Sequence, residues 1–368
     1  MDMEQQRMMQ TEILCCTTEE EIKKAATSAA EQLLAGQVVA IPTETVYGLA
    51  ADATNEAAVK EIFRVKGRPQ DNPLIVHISD LSMLPLVTTA QSEDALRLFE
   101  AFWPGPLTVI LPRADSIPAA VSAGLDTVAV RFPAHFVAQQ VIACCNKPLA
   151  APSANRSGIP SPTTAQHVMD DLSGRIPLIL DGGSCSVGVE STVITLCTEN
   201  PRILRPGFVT KEQLEEVLGK PVEVDEACLK ASTAGQAVSS PGMKYKHYAP
   251  KTALTLVQGS LDDYISYAKA NGFTAAFCFE EEVSALSDAG FTCVAYGRAG
   301  DDVSQAASLF DALRRLDELG VSSAVGRMPS KDGVGLAVTK RLIRAAAFRV
   351  VDAKTGASLS ETSTEQPV

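Results

Sequence analysis

Aromatic residues are scarce in this chain of 368 residues, only 5% of it with a single tryptophan, Trp103, although hydrophobic residues reach 46%. The apolar content is therefore mostly Ala, Val, Leu and Ile, which suits α/β layers. Basic residues are also in deficit, with 32 Lys and Arg against 44 Asp and Glu and a formal net charge of −12. That excludes a protein gripping nucleic acid over a broad face, because neutralising phosphates needs clustered Lys and Arg. Residues 1–208 hold 15 basic and 23 acidic side chains, and the remainder 17 and 21, so neither half is a basic module. A local basic cluster in such a background stands out.

The nine cysteines include no Cys-x-x-Cys and no disulfide-like spacing, so they read as reduced thiols of a cytosolic protein. The four histidines, His77, His135, His167 and His247, are scattered, and none lies near a cysteine pair at zinc-ligand spacing. The sequence has no run of about 18 apolar residues that would make a membrane-spanning helix. Its start, MDMEQQRMMQTEILCC, lacks the basic beginning and apolar block of a signal peptide, so the expected compartment is the cytoplasm. Neither GxGxxG nor GxxxxGK[ST] is present. No Ser-His-Asp arrangement or paired carboxylates stand out, which leaves hydrolytic and glycosidic chemistry without support.

A chain of this length favours two domains. Residues 19 to 37 place apolar side chains at helical spacing and end near Gly36, and VVAIP (38 to 42) reads as a buried strand stopped by Pro42. Helices are expected at 56 to 66 and 93 to 103. Strands are expected at 74 to 78, 107 to 112, 127 to 132, 148 to 155, 177 to 183 and 191 to 196. Short strands punctuated by Gly and Pro predict a twisted mixed sheet with helices on its faces. Regular strand and helix alternation resumes over 253 to 350 and predicts a smaller, Rossmann-like parallel α/β domain. The expected organisation is a flexible N-terminus (1–17), a first domain (18–208), a linker (209–252), a C-terminal α/β domain (253–352) and a disordered tail (353–368).

Three segments are candidates for chemistry. Arg64, Lys66 and Arg68 fall within five residues and are followed by Pro69 and Asn72-Pro73. A plain solvated helix end is the competing reading, but the prolines stiffen the chain after the charges, and His77 follows in an apolar strand. APSANRSGIPSPTTA (151 to 165) reads either as a long turn or as a rigid loop whose hydroxyls and N–H groups hold phosphate oxygens at strand ends. DGGSCSVGVESTVI (181 to 194) is a glycine-rich turn, weak on its own. Lys66, Arg68, Arg131 and Arg205, on separate elements, suit a polyanion.

Taken together, PTETVYGL (42 to 49), KGR (66 to 68) with NPLIVH (72 to 77), SAN (153 to 155) and ESTV (190 to 193) resemble the threonylcarbamoyl-AMP synthase family, built on a YrdC-type domain. The resemblance covers roughly 18 to 208, and SPGMKYKHYAP with the following α/β segment resembles the two-domain form. It implies a nucleotidyltransferase that joins L-threonine, bicarbonate and ATP into threonylcarbamoyl-adenylate, releasing pyrophosphate, in a deep cationic pocket. By that resemblance Thr45, His77, Arg131, the Ala151 backbone and Ser191 would hold threonine. Arg68, Asn72, Thr127, Ser153, Ser161 and Arg205 would hold ATP, with Lys66 and Asn155 completing the catalytic set of Lys66, Arg68, Ser153 and Asn155.

The same resemblance places Tyr245 of the linker over the pocket as a lid. It also implies Mg2+ carried by ATP without direct protein ligands, no organic cofactor, and a downstream tRNA threonylcarbamoyl transferase as partner, with tRNA contact indirect or weak. Lys246 stands where relatives commonly have Arg, which keeps the charge and loses the fork. Two other functions compete: an RNA-binding or ribosome-assembly factor, against which the net charge counts, and a carbamoyl transferase, whose zinc-finger-like cysteine pairs are missing here.

Overall fold

The computed structural model describes residues 9–225 and 248–359. The first α-helix, α1 (Glu19–Leu34), starts where Thr18 accepts from the Glu21 N–H while the Glu21 carboxylate accepts from the Thr18 N–H, a reciprocal cap at its N-terminus. The second, α2 (Glu56–Lys66), is capped by Asn55 and stopped by Gly67 at φ +62. That left-handed stop leaves Lys66 in the last helical turn and turns the chain immediately before Arg68.

The first domain is built on an eleven-stranded sheet in the order β1-β8-β2-β3-β7-β4-β6-β5-β9-β10-β11. Its strands are β1 (Glu12–Cys15), β2 (Val39–Ile41), β3 (Gly48–Asp52), β4 (Ile75–His77), β5 (Leu107–Pro112), β6 (Thr127–Arg131), β7 (Leu149–Ala150), β8 (Leu178–Asp181), β9 (Thr192–Thr195), β10 (Arg202–Arg205) and β11 (Glu223–Val224). Parallel pairings (β4 with β6, β5 with β9) and antiparallel ones (β5 with β6, β9 with β10) are mixed, as the strand density predicted. The second domain is a five-stranded, wholly parallel sheet in the order β14-β13-β15-β12-β16. Its strands are β12 (Ala253–Gln258), β13 (Ala275–Cys278), β14 (Thr292–Ala295), β15 (Ser323–Arg327) and β16 (Val350–Asp352).

Several boundaries differ from the sequence reading. Residues 12–15 of the expected flexible N-terminus form an edge strand on β8. The expected 148–155 strand is only β7, and the last two residues of the polar turn expected at 43–49 already belong to β3, whose five residues are all buried. The helix Phe136–Cys145, apolar almost all round, escaped the periodicity search because it has no polar face. Residues 209–225, placed in the linker by composition, belong to the first domain. There the helix Lys211–Leu218 sends Leu214 and Leu218 into the core, and β11 pairs with β10. Residues 353–359 of the expected tail fold back on β16, with Asp352 N–H bonded to the Ala357 carbonyl. The expected lid residue Tyr245 lies outside the described residues.

The domains share one apolar core. Val46, Val187 and Val189 of the first pack with Leu309, Phe310 and Leu313 of the second. Gly188 sits at φ +75, and a Cβ there would lie 2.5 Å from the Ala306 carbonyl oxygen on the helix Asp302–Glu318, so only glycine permits this approach. The eight described cysteines carry free thiols. Among the described residues no helix is long and apolar enough to cross a membrane.

Candidate functional site

Two motifs distant in sequence are stitched together by backbone bonds. Leu49 N–H donates to the Pro152 carbonyl at 2.7 Å, Ala154 N–H to the Tyr47 carbonyl at 2.7 Å, and Tyr47 N–H to the Pro162 carbonyl at 2.9 Å. Gly48 faces Ser153 across an isolated bridge, and a side chain there would press on the Ala151 methyl at 3.3 Å. The turn at 42–49 and the loop at 151–162 therefore form one wall.

The opposite floor comes from the strand ends. His77 and Arg131 are register partners at the carboxyl ends of parallel β4 and β6, and Thr108 of β5 is the next partner across. The hollow between them is about 770 Å³ including its open mouth, and Lys66, Arg68, Arg131 and Arg205 all line it. Crevices at strand carboxyl ends are where open α/β sheets take ligands.

Each cation is held by named partners. The Lys66 ammonium donates to the carbonyl oxygens of Ser153 and Asn155, the latter at 2.6 Å. Burial, and then the neighbouring Arg68 charge, hold it well below its ordinary pKa. An arriving polyphosphate would favour its charged form. Arg68 donates to the Asn72 and Pro73 carbonyls at 3.3 and 3.1 Å.

Arg131 donates to Thr45 Oγ1 at 2.8 Å and to the Gly105 carbonyl at 3.2 Å, and its Nη2 lies 2.6 Å from Glu44 Oε1. Both members of this ion pair are buried. Burial opposes the Glu44 charge, but the Arg131 guanidinium overcomes it and holds the carboxyl below its usual range. Burial, with Arg131 nearby, pushes His77 down to about 3, so the ring is neutral near pH 7 and acts as a hydrogen-bonding group, not a counter-ion.

Arg205 donates to the Ser191 carbonyl at 3.0 Å and to Ser191 Oγ at 3.1 Å, and that hydroxyl pairs with Thr108 Oγ1 at 2.7 Å. Ser161 donates to Glu190 Oε1 at 2.6 Å, while Arg341, from the second domain, donates to Glu190 Oε2 at 2.7 Å. Burial works against the Glu190 charge, yet Arg341 and then Arg205 draw its pKa down to about 2. A carboxyl depressed in the folded state stabilises above its unfolded pKa, near 4.5, and that contribution is lost as pH falls toward 2. Urea denaturation at pH 7 and pH 3 is expected to show a smaller acid loss of stability in Glu190→Gln than in the unaltered chain. An identical acid limb in both would refute this account.

Of the residues named by resemblance, Thr45, His77, Arg131, Ala151, Ser191, Lys66, Arg68, Ser153, Asn155, Ser161 and Arg205 all line this one hollow. Asn72 and Thr127 do not. Asn72 is buried with its side-chain amide unbonded, and only its carbonyl meets Arg68. Thr127 stands at the far end of β6 from Arg131, about 13 Å away at the rise of a strand. The Ala151 N–H is already bonded to the Ile75 carbonyl at 3.0 Å, which leaves its own carbonyl to meet a ligand.

Sequence reasoning missed Glu44 as the partner of Arg131, although it stands inside the quoted PTETVYGL. It also missed Tyr248, which lines the hollow at φ +61 and stacks on Phe310 of the second domain, and Ala249, whose N–H bonds to the Gly158 carbonyl. Arg341 carries no motif and left no signal. Among the described residues no group of His, Cys, Asp or Glu has metal-site geometry.

Comparison with known proteins matches residues 31–207 to a family described as Telomere recombination (Sua5, YciO and YrdC) and residues 209–347 to one described as threonylcarbamoyl-AMP synthase, C-terminal domain. The threonylcarbamoyl-AMP synthase of Bacillus subtilis is 46% identical over 323 residues, 87% of this chain and 92% of that protein. The Schizosaccharomyces pombe protein of the same name is 40% identical, covering 84% of each chain. The crystal structure of Pyrococcus abyssi Sua5 complexed with L-threonine is similar with a TM-score of 0.82 at 39% identity, covering 93% of this chain and 99% of that one.

Proposed function

The chain belongs to the threonylcarbamoyl-AMP synthase family, and from that premise we propose that it condenses L-threonine, bicarbonate and ATP into threonylcarbamoyl-adenylate and pyrophosphate. The observation that carries this reading is the convergence of Lys66, Arg68, Arg131 and Arg205 on one hollow whose lining carboxylate, Glu190, is already paired. Such a site suits two anions that must meet, since like charges repel most in a site that excludes water.

Threonine takes the Arg131 end. Its carboxylate meets the guanidinium beside Thr45, and neutral His77, Ser191 and the Ala151 carbonyl orient the rest. The neutral amine captures bicarbonate-derived CO2 as a carbamate, and its displaced N–H proton leaves as water with the hydroxide that bicarbonate gave up. The carbamate oxygen is anionic already, so no strong general base is required. It attacks the α-phosphorus of ATP, the bond to the β-phosphate oxygen breaks, and pyrophosphate leaves. Lys66, Arg68 and Arg205 hold the triphosphate in line and stabilise the charge that builds on the leaving phosphates.

The lining offers serine hydroxyls and one carboxylate that is doubly engaged, a donor set suited to a Mg2+ ion that arrives on the nucleotide with phosphate oxygens and water as ligands. When bound, the ion neutralises phosphate charge. The adenylate then passes to a tRNA threonylcarbamoyl transferase, so that this chain needs no extended basic face of its own.

Incubation with ATP, Mg2+, bicarbonate and threonine, omitting each in turn, tests the reading. Pyrophosphate and the adenylate, read by mass spectrometry, are expected only from the complete mixture. Pyrophosphate release that ignores threonine would overturn the proposal.

A further inference from the structure

The second domain reaches the back of the hollow's wall, where one of its residues holds the lining carboxylate Glu190, and nothing in the reaction as written requires it. Arg341 lies on the helix Gly333–Ala345 and is 3% exposed. All three guanidinium nitrogens are used: Nε on Glu190 Oε2 at 2.7 Å, Nη2 on the Glu190 carbonyl at 3.1 Å, and Nη1 on the Pro206 and Ala337 carbonyls at 2.9 Å. Three of these four bonds cross from the second domain to the first.

Their targets bracket Arg205. Glu190 precedes Ser191, whose carbonyl and hydroxyl hold Arg205, and Pro206 follows Arg205. Glu190 also receives the Ser161 hydroxyl. An isolated buried carboxylate in a hollow built for phosphates is costly twice over. It is desolvated, and it repels the ligand. Without Arg341, the cation nearest in effect to Glu190 would be Arg205, which would then serve as its counter-ion instead of facing the nucleotide.

We infer that Arg341 is a positioning residue for the nucleotide end of the site, neutralising Glu190 so that Arg205 stays available to a polyanion, and that the second domain is for this reason part of the site. The inference rests on ATP being the ligand there, as argued above. Two further bonds and a ring stack make the docking firm enough for such a role. Arg314 pairs with Asp171 at 2.6 Å and donates to the Pro160 carbonyl at 2.7 Å, and Tyr248 stacks on Phe310 with ring centroids 5.2 Å apart.

The test compares Arg341→Met, Arg341→Lys, Glu190→Gln and the double variant in the full chain, reading KM for ATP and for threonine by pyrophosphate release, with thermal melting alongside. Arg341→Met is expected to raise KM for ATP roughly tenfold or more while KM for threonine changes much less. Arg341→Lys keeps a charge but not the fork, and it should stay impaired. Glu190→Gln/Arg341→Met, which removes both charges, should restore KM for ATP to within a few-fold of the original. Glu190→Gln alone leaves Arg341 in surplus and should tighten ATP binding.

Unchanged KM for ATP in Arg341→Met, or a double variant that melts normally yet binds ATP no better than the single, overturns the inference. If the Arg341 variants do not fold, Glu190→Gln decides, and weaker ATP binding in it sinks the idea. An unaltered chain without threonine-dependent pyrophosphate release would instead sink the function proposed above.

Discussion

Replacing Lys66 with methionine is expected to lower kcat/KM for ATP by about 10²–10³-fold, the scale on which removing one preorganised donor at a developing charge is felt. The substitution keeps most of the stem volume and deletes only the ammonium, which lines the hollow against the Ser153 and Asn155 carbonyls. A purely architectural lysine is the competing account, since those bonds also pin the 153–155 loop. The two accounts separate on threonine. Loss of a phosphate-facing charge leaves calorimetric threonine binding nearly intact, because Arg131, Thr45 and His77 are held by other partners. Loss of a pin loosens Ala151 and weakens threonine binding together with ATP binding. Turnover and KM for ATP within threefold of the original would end the catalytic assignment.

Arg131→Met should show the largest combined effect. The guanidinium is the counter-ion of Glu44 at 2.6 Å in a buried setting, and removing one member of such a pair costs about 3–5 kcal/mol of stability because the other charge stays buried. The same group is assigned the threonine carboxylate, so affinity should fall roughly 30-fold or more. Glu44→Gln/Arg131→Met separates the two roles. Denaturation should recover most of the lost stability in the double variant, whereas threonine binding should remain lost. Recovery of binding with stability would mean that Arg131 serves Glu44 alone.

The legible and illegible parts of this molecule divide by distance along the chain. α2 was readable because the run at 56 to 66 is a local signal, and the Asn55 cap and Gly67 stop seen in the structure confine it to those residues, with Lys66 in the last turn. The α/β order of the second domain was readable for the same reason. The 209–225 segment was misplaced because its small apolar face, Leu214 and Leu218, looks like a surface helix until it meets the first core. The edge strand at 12–15 was missed because an exposed strand pairing with β8 leaves no clean alternation in four residues. Asn72 and Thr127 came from position in a resembling motif, and neither is among the residues that line the hollow.

From the amino-acid order alone came the two α/β domains, the deficit of basic surface, and the short motifs that supply the cations, since each depends on composition or on neighbours a few residues apart. Only the tertiary structure decided how those cations are balanced. Glu44 faces Arg131 because β6 delivers its end beside the 42–49 turn, and Glu190 meets Arg341 across 151 positions because one domain docks on the other through Gly188 and a shared core. Burial makes each of these pairings strong, and burial is a property of the assembled fold that no local pattern records.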